Sequence, residues 1–240
     1  MNVELYRERR LQLELEPRRP MRIRCLTCLQ PVFTCYCAHV RRFDAQIKFV
    51  ILIHRLEVRR RIATGRLSHL CLHDSNLIMG YDYSQNLALN SLLEDPQYHP
   101  VILYPGRAST NISGADDDEC RALFPQGKKP LIVVIDGTWN TAKKMLRRSR
   151  NLHGIKQICF TPSQPSNFRV RRQPRPECVS TVEAIHQVIE LLGPSRGLDL
   201  EIGAHDNLLY VFNKMVEQQL EYMNALKASH GFSRHRRKPK

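Results

Sequence analysis

Two runs of the chain, Ile47 to Ile53 (IKFVILI) and Leu131 to Ile135 (LIVVI), are apolar at nearly every position and rich in β-branched residues. A strand with one face in water alternates apolar and polar side chains. A run without that alternation predicts a strand buried on both faces, which needs helices on either side of its sheet. Shorter strand patterns follow at 77–78, 100–105 and 156–160. Helical spacing marks 67–72, 85–94, the stretch from Thr138 to about Arg150, 181–192 and 207–227. Strands alternating with helices imply an α/β fold with a largely parallel sheet covered by helices. Residues 1–16 read as a short charged helix, the acid-rich 107–120 as a solvated loop and GFSRHRRKPK as a disordered basic tail. There is no internal repeat.

At 240 residues the chain holds one large domain or one domain with an appendage. No apolar run approaches the roughly 20 residues that span a bilayer. The N-terminal MNVELYRERRLQLELEP lacks the apolar stretch of a secretion signal, so a cytoplasmic protein is expected. The formal charge of +14 calls for a polyanionic partner, nucleic acid before an anionic membrane surface.

Four of the eight cysteines, Cys25, Cys28, Cys35 and Cys37, fall within thirteen residues as C-x2-C-x6-C-x-C. Two close pairs joined by a short loop place four thiolates around a tetrahedral ion. Four soft ligands with no open position describe a structural zinc site, ahead of an iron–sulfur cluster, whose common spacings differ. The arginines at 18, 19, 22, 24, 41 and 42 would let this knuckle also meet phosphates. Cys71, Cys120, Cys159 and Cys178 are scattered and read as core residues.

Asp136 follows the second apolar run and precedes Gly137-Thr138-Trp139. Carboxylates at strand ends of open α/β sheets stand where ligands bind, although such an aspartate also serves as a turn residue bonding backbone amides. Gly137 allows a close approach, and Thr138 is placed to cap the next helix. In that helix Trp139, Ala142 and Leu146 form a core-facing stripe, while Lys143, Lys144, Arg147, Arg148 and Arg150 form an acid-free surface suited to phosphate.

A second basic patch lies in TPSQPSNFRVRRQPRPECVS, which has four prolines, four arginines and no regular period. Irregular stretches of this length are often functional. Phe168 among these arginines stacks a base or anchors the loop. Glu183 stands at a helix start, where an acid either favours the dipole or meets a ligand. His54, Glu57, Arg59, Thr64, Gly65 and Arg66 lie among five arginines and suggest anion recognition rather than a zinc site.

Taken in order, these blocks resemble the DTW-domain family of tRNA-uridine aminocarboxypropyltransferases. Asp136-Gly137-Thr138-Trp139 is similar to the signature that names the family, and the four cysteines to its N-terminal metal site. Thr64-Gly65-Arg66-Leu67, Leu123-Phe124-Pro125, Ser166-x-x-Arg169-x-Arg171 and Ser180-Thr181-Val182-Glu183-Ala184 resemble further blocks, all within about 22–190. Glu57 follows His54 without the intervening proline common in relatives.

The resemblance implies a SPOUT-like fold with a knotted cofactor loop, a knuckle segment at 1–42, a catalytic domain at 43–230 and a tail at 231–240. It implies transfer of the 3-amino-3-carboxypropyl group of S-adenosylmethionine to N3 of a uridine in tRNA, leaving methylthioadenosine. Asp136, Thr138 and Trp139 would be catalytic, with Asp136 handling the N3 proton. Leu103, Tyr104, Pro105 and Gly106, with Ile135 and Gly137, would contact adenosine. Ser166 and Glu183 would hold the rest of the cofactor, and Arg169 and Arg171 would meet its methionine carboxylate or nearby RNA phosphates. A monomer acting on tRNA, without a membrane or an obligate protein partner, is expected. Two other readings stand beside it: an S-adenosylmethionine-dependent RNA methyltransferase, and a non-catalytic zinc-stabilised RNA-binding protein.

Overall fold

The computed structural model describes residues 23–58, 62–106, 108–171, 175 and 177–229. The helix expected at 1–16, the arginines at 18, 19, 22, 59 and 172, and the tail at 231–240 lie outside those residues.

The strands are β1 (Lys48–His54), β2 (Ser75–Gly80), β3 (Tyr98–Leu103), β4 (Thr110–Asn111), β5 (Lys129–Asp136) and β6 (Gln157–Cys159). They form one sheet in the order β2-β1-β5-β3-β6-β4, with every neighbouring pair parallel. The helices are α1 (Thr64–Cys71), α2 (Leu87–Glu94), α3 (Asp117–Ala122), α4 (Trp139–Arg148), α5 (Thr181–Leu192) and α6 (Asn207–Ser229).

The uninterrupted apolar runs explain the layering. Successive side chains of a strand point to opposite faces, so each run feeds two cores. Phe49, Ile51, Ile132 and Val134 pack with α1, α5 and α6, for example against Leu67, Ile185 and Phe212. Val50, Leu52, Leu131 and Val133 face the other way, onto Tyr83, Leu89 of α2 and Met145 of α4. Each of these side chains contributes roughly 1.5–3 kcal/mol by leaving water, so β1 and β5 anchor both layers.

The two central strands part company at their carboxyl ends. After β1 the chain enters α1 on one face, whereas after β5 it enters α4 on the other. Neighbouring strands with diverging exits leave a crevice where ligands bind in open α/β sheets. Tyr83 closes part of that edge: its hydroxyl donates to Ile53 O at 3.1 Å and Ile78 O at 3.2 Å, tying β1 to β2.

Two expectations change. The stretch 107–120 is not all loop: it contains β4 and the start of α3. Asp116 accepts from Glu119 N–H at 2.8 Å and Glu119 from Asp116 N–H at 3.0 Å. That reciprocal pairing is a capping box, and it uses the acids to start a helix. Trp139 also leaves the core-facing stripe, with 42% of its surface exposed, while Ala142 and Met145 are buried. As the first residue of α4 it stands just beyond the carboxyl end of β5.

The cysteine knuckle docks on the first core through Cys28 and Tyr36. Asn207 at the start of α6 fixes it, accepting from Arg41 N–H at 2.8 Å and donating to His39 O at 3.1 Å. Among the described residues, no helix is long and apolar enough to cross a membrane.

Candidate active site

Asp136 is the last residue of β5 and pairs in register with Ile53 of β1, so it faces the crevice between the diverging strands. Only 5% of it is exposed. Its Oδ1 accepts from the Thr181 hydroxyl at 2.8 Å, at the first turn of α5. Its Oδ2 is buried without a well-aligned hydrogen bond among the described residues. Leaving a buried acceptor unfilled costs about 1–3 kcal/mol.

Gly65 in α1 makes this packing possible. A Cβ there would overlap Asp136 Oδ2 and stand 2.9 Å from its Cγ and 3.0 Å from Ile51 Cγ2. Burial pushes the Asp136 carboxyl up to about 6 from the ordinary 3.8. The Thr181 hydrogen bond pulls it down, the charge of Glu57 pushes it further up, and the Gly65 amide and Arg171 pull it slightly down. Glu57 is itself only 4% exposed, so its charge acts through protein rather than water.

Beside Asp136 opens a cavity of about 360 Å³, within the size range of small-molecule sites. Leu103, Tyr104 and Pro105, at the end of β3, form one wall. Ile135, Gly137, Thr138 and Trp139, around the β5–α4 turn, form another. Thr138 caps α4 by accepting from Thr141 N–H at 3.3 Å, and a Cβ on Gly137 would stand 2.6 Å from Thr141 Oγ1.

The basic loop divides. Arg171 lines the cavity, whereas Arg169 is exposed and, like Ser166, Gly106 and Glu183, stands outside the lining. Gly106 is held in a turn, donating to Ser109 Oγ at 2.8 Å. Glu183 clasps the loop: it accepts from Ser166 Oγ at 2.7 Å, Asn167 N–H at 2.7 Å and Ser180 N–H at 2.7 Å. Phe168 is the loop's anchor, 2% exposed and edge-on to Phe212 with ring centroids 5.3 Å apart.

Several lining residues had no signal of their own in the sequence. Thr181 sat inside a recognised block without a role; its contact with Asp136 exists only because α5 packs across the end of β5. Glu177 lines the cavity from the irregular loop, and Phe160 and Pro162 shape its apolar side. Cys159 also lines it, and burial raises its thiol above the ordinary range, which fits a wall residue rather than a nucleophile.

Outside the mouth, Lys143, Lys144, Arg147 and Arg148 of α4 are exposed along the helix that Trp139 begins. Arg148 lies over the Tyr81 ring at 4.9 Å. The cavity therefore opens beside a surface that attracts phosphates.

The four knuckle sulfurs all lie within 4.8 Å of one another. Cys25 Sγ and Cys37 Sγ are 3.7 Å apart, as are those of Cys28 and Cys35. Thiolates about 2.3 Å from a tetrahedral zinc stand about 3.8 Å from each other, so the donor set fits that ion. The Cys28 and Thr27 amides point at Cys25 sulfur and favour its thiolate. Leu29, with φ of 60°, turns the chain between the pairs.

The DTW domain model matches residues 22–220, from the knuckle through the cavity and into α6. The chain belongs to the DTW domain family. Within curated proteins it is 28% identical over 178 residues to tRNA-uridine aminocarboxypropyltransferase 2 of Drosophila melanogaster, covering 71% of this chain and 67% of that relative. It is 27% identical over 186 residues to tRNA-uridine aminocarboxypropyltransferase 2 of Mus musculus, covering 76% and 59%. The same-named protein of Macaca fascicularis is 27% identical over 198 residues, covering 77% and 61%. The chain thus spans about three fifths to two thirds of the length of these relatives. No solved structure matches it significantly.

Proposed function

We propose that this protein transfers the 3-amino-3-carboxypropyl group of S-adenosylmethionine to N3 of a uridine in tRNA. The observation that carries this reading is Asp136: a buried carboxylate with one unfilled oxygen, at the floor of a largely apolar cavity beside an acid-free basic helix. Membership of a family whose named relatives are aminocarboxypropyltransferases supports it.

In this reading the cavity holds the nucleoside end of S-adenosylmethionine against the backbone of Leu103 to Pro105 and Ile135 to Gly137. Arg171 meets the carboxylate of the methionine part. Asp136 takes the proton from uridine N3. The N3 lone pair then attacks the side-chain carbon next to sulfur, that carbon–sulfur bond breaks, and sulfur keeps the pair as neutral methylthioadenosine. A base near 6 is matched to neutral operation, since it is largely ionised yet still basic. Positioning supplies the remainder, because the sulfonium is already a good leaving group. The SPOUT-like relationship and the knotted cofactor loop belong to the same proposal, as do the roles of Thr138 and Trp139 beside the base.

Zinc in the knuckle would be held by Cys25, Cys28, Cys35 and Cys37 and would supply structure, since four thiolates leave no open position. The test is mass spectrometry of nucleosides from unmodified tRNA incubated with the protein and S-adenosylmethionine. Aminocarboxypropyluridine together with methylthioadenosine is the expected result. A methylated nucleoside with S-adenosylhomocysteine would overturn the group transferred, and no product from folded, RNA-bound protein would overturn catalysis.

A further inference from the structure

We propose that the protein carries a second metal site, remote from the knuckle, formed by His186, His205 and Asp206. Among the described residues these three and the knuckle cysteines are the groups whose ligand atoms come within 4.8 Å of one another. His186 lies in the middle of α5, while His205 and Asp206 lie in the turn that leads into α6. The site therefore bridges two helices of the first core.

Its donors are arranged as an ion needs them. Ligand atoms about 2.0–2.2 Å from one ion, at angles between a right angle and a wide tetrahedral one, stand about 2.9–3.7 Å apart. His186 Nε2 is 2.9 Å from Asp206 Oδ1, and His205 Nε2 is 3.7 Å from the same oxygen. The two imidazole rings lie at 29° with centroids 4.9 Å apart.

The surroundings point the same way. His186 and His205 are 6% and 4% exposed, so both rings are fixed by packing. Glu190 Oε2 lies 3.6 Å from His186 Nδ1, on the side of the ring away from Asp206. A carboxylate behind a ligating histidine holds the ring's orientation and raises its basicity, a recurrent arrangement in metal sites. Asp206 has 64% of its side chain exposed, which gives an entry path and leaves positions for water. Two imidazoles and one carboxylate suit a divalent first-row transition ion rather than calcium or magnesium. Such an ion would pin α5, whose first turn carries Thr181 and Glu183, to the start of α6.

The experiment is equilibrium dialysis of the full chain against micromolar free zinc, with bound metal counted by mass spectrometry, and a parallel cobalt(II) titration followed by absorbance. Two equivalents are expected for the wild-type protein. His205→Ala and Asp206→Asn should each hold one, with the knuckle's thiolate-to-cobalt band unchanged. Asp206 is exposed, so its variant keeps the fold even if loss of the buried His205 ring does not. One equivalent in the wild type, or two retained in Asp206→Asn, would overturn the site.

Discussion

Two carboxylates at the same end of the molecule are built in opposite ways. Glu183 is filled: Oε2 accepts from Ser180 N–H at 2.7 Å, Ser180 Oγ at 2.6 Å and Ser166 Oγ at 2.7 Å, and Oε1 from Asn167 N–H at 2.7 Å. Asp136 receives a well-formed hydrogen bond on Oδ1 from Thr181, while its Oδ2 is buried against Gly65 without a well-aligned one. Both acids stand in motif blocks, and both were candidates for handling substrate. The filled one holds a loop against a helix; the unfilled one keeps its capacity for a proton.

The strongest way to break this contrast is Asp136→Asn. Removing a general base costs on the order of 10²–10⁴ in rate, so product formation should fall to background while tRNA binding persists. Stability should move the other way. The folded carboxyl sits at about 6 against an ordinary 3.8, so between those values the folded state keeps a proton that the unfolded state has lost. Stability therefore falls as pH rises through that window and stays lowered above it, by on the order of 3 kcal/mol. A neutral amide lifts that penalty. The variant should melt above the wild type at pH 7.5 and no higher than it at pH 4. A variant that turned over normally, or melted lower at pH 7.5, would remove the distinction between the two acids.

Glu183→Ala sharpens the same comparison from the structural side. It strips four accepted hydrogen bonds from a charged group and removes one half of the capping box of α5. Unfolding in urea should show a loss of about 2–4 kcal/mol. Because the loop carrying Arg171 comes loose, KM for S-adenosylmethionine should rise several-fold while kcat falls less. A pure loss of kcat at unchanged KM and unchanged stability would mean that Glu183 acts on the reacting groups.

The sequence displayed the two sides of this contrast unequally. Ile47 to Ile53 and Leu131 to Ile135 announced central strands because no residue in them belongs in water, and the carboxyl end of the second located Asp136. The helix at 181–192 matched its expected span because its apolar period and its Ser-x-x-Glu start agree. Thr181 remained hidden, since a hydroxyl reaching across from another element leaves no mark on its own period. So did the division of Arg169 from Arg171: an irregular loop lacks the repeat that tells inward from outward. Trp139 went astray for a related reason. Helical spacing gives a side but not a depth, and at the first position of α4 that side overhangs the cavity mouth. The acids at 116–119 have the composition of a solvated loop, yet Asp116 and Glu119 have the spacing of a capping box, and position outweighs charge there.

Thr181→Val makes the smallest change and tests how the unfilled acid is tuned. The hydroxyl donates Asp136's one well-formed hydrogen bond and stabilises the charged form, so its loss should raise the carboxyl further above about 6. Valine matches threonine in shape, and α5 keeps its cap through Ser180 and Glu183, so the fold should change little. In the wild type, kcat/KM should rise with pH along an acid limb centred near 6, because the base works only when ionised. In the variant that limb should move to higher pH by roughly one unit, the scale of one hydrogen bond of about 1.4 kcal/mol to a charged group. The two enzymes would then differ several-fold at pH 6 and converge towards pH 8.5. That convergence matters more than the size of the loss. A defect of equal size at every pH would mean that Thr181 positions Asp136 without tuning it, and a limb shifted downward would reverse the assigned direction of the hydrogen bond.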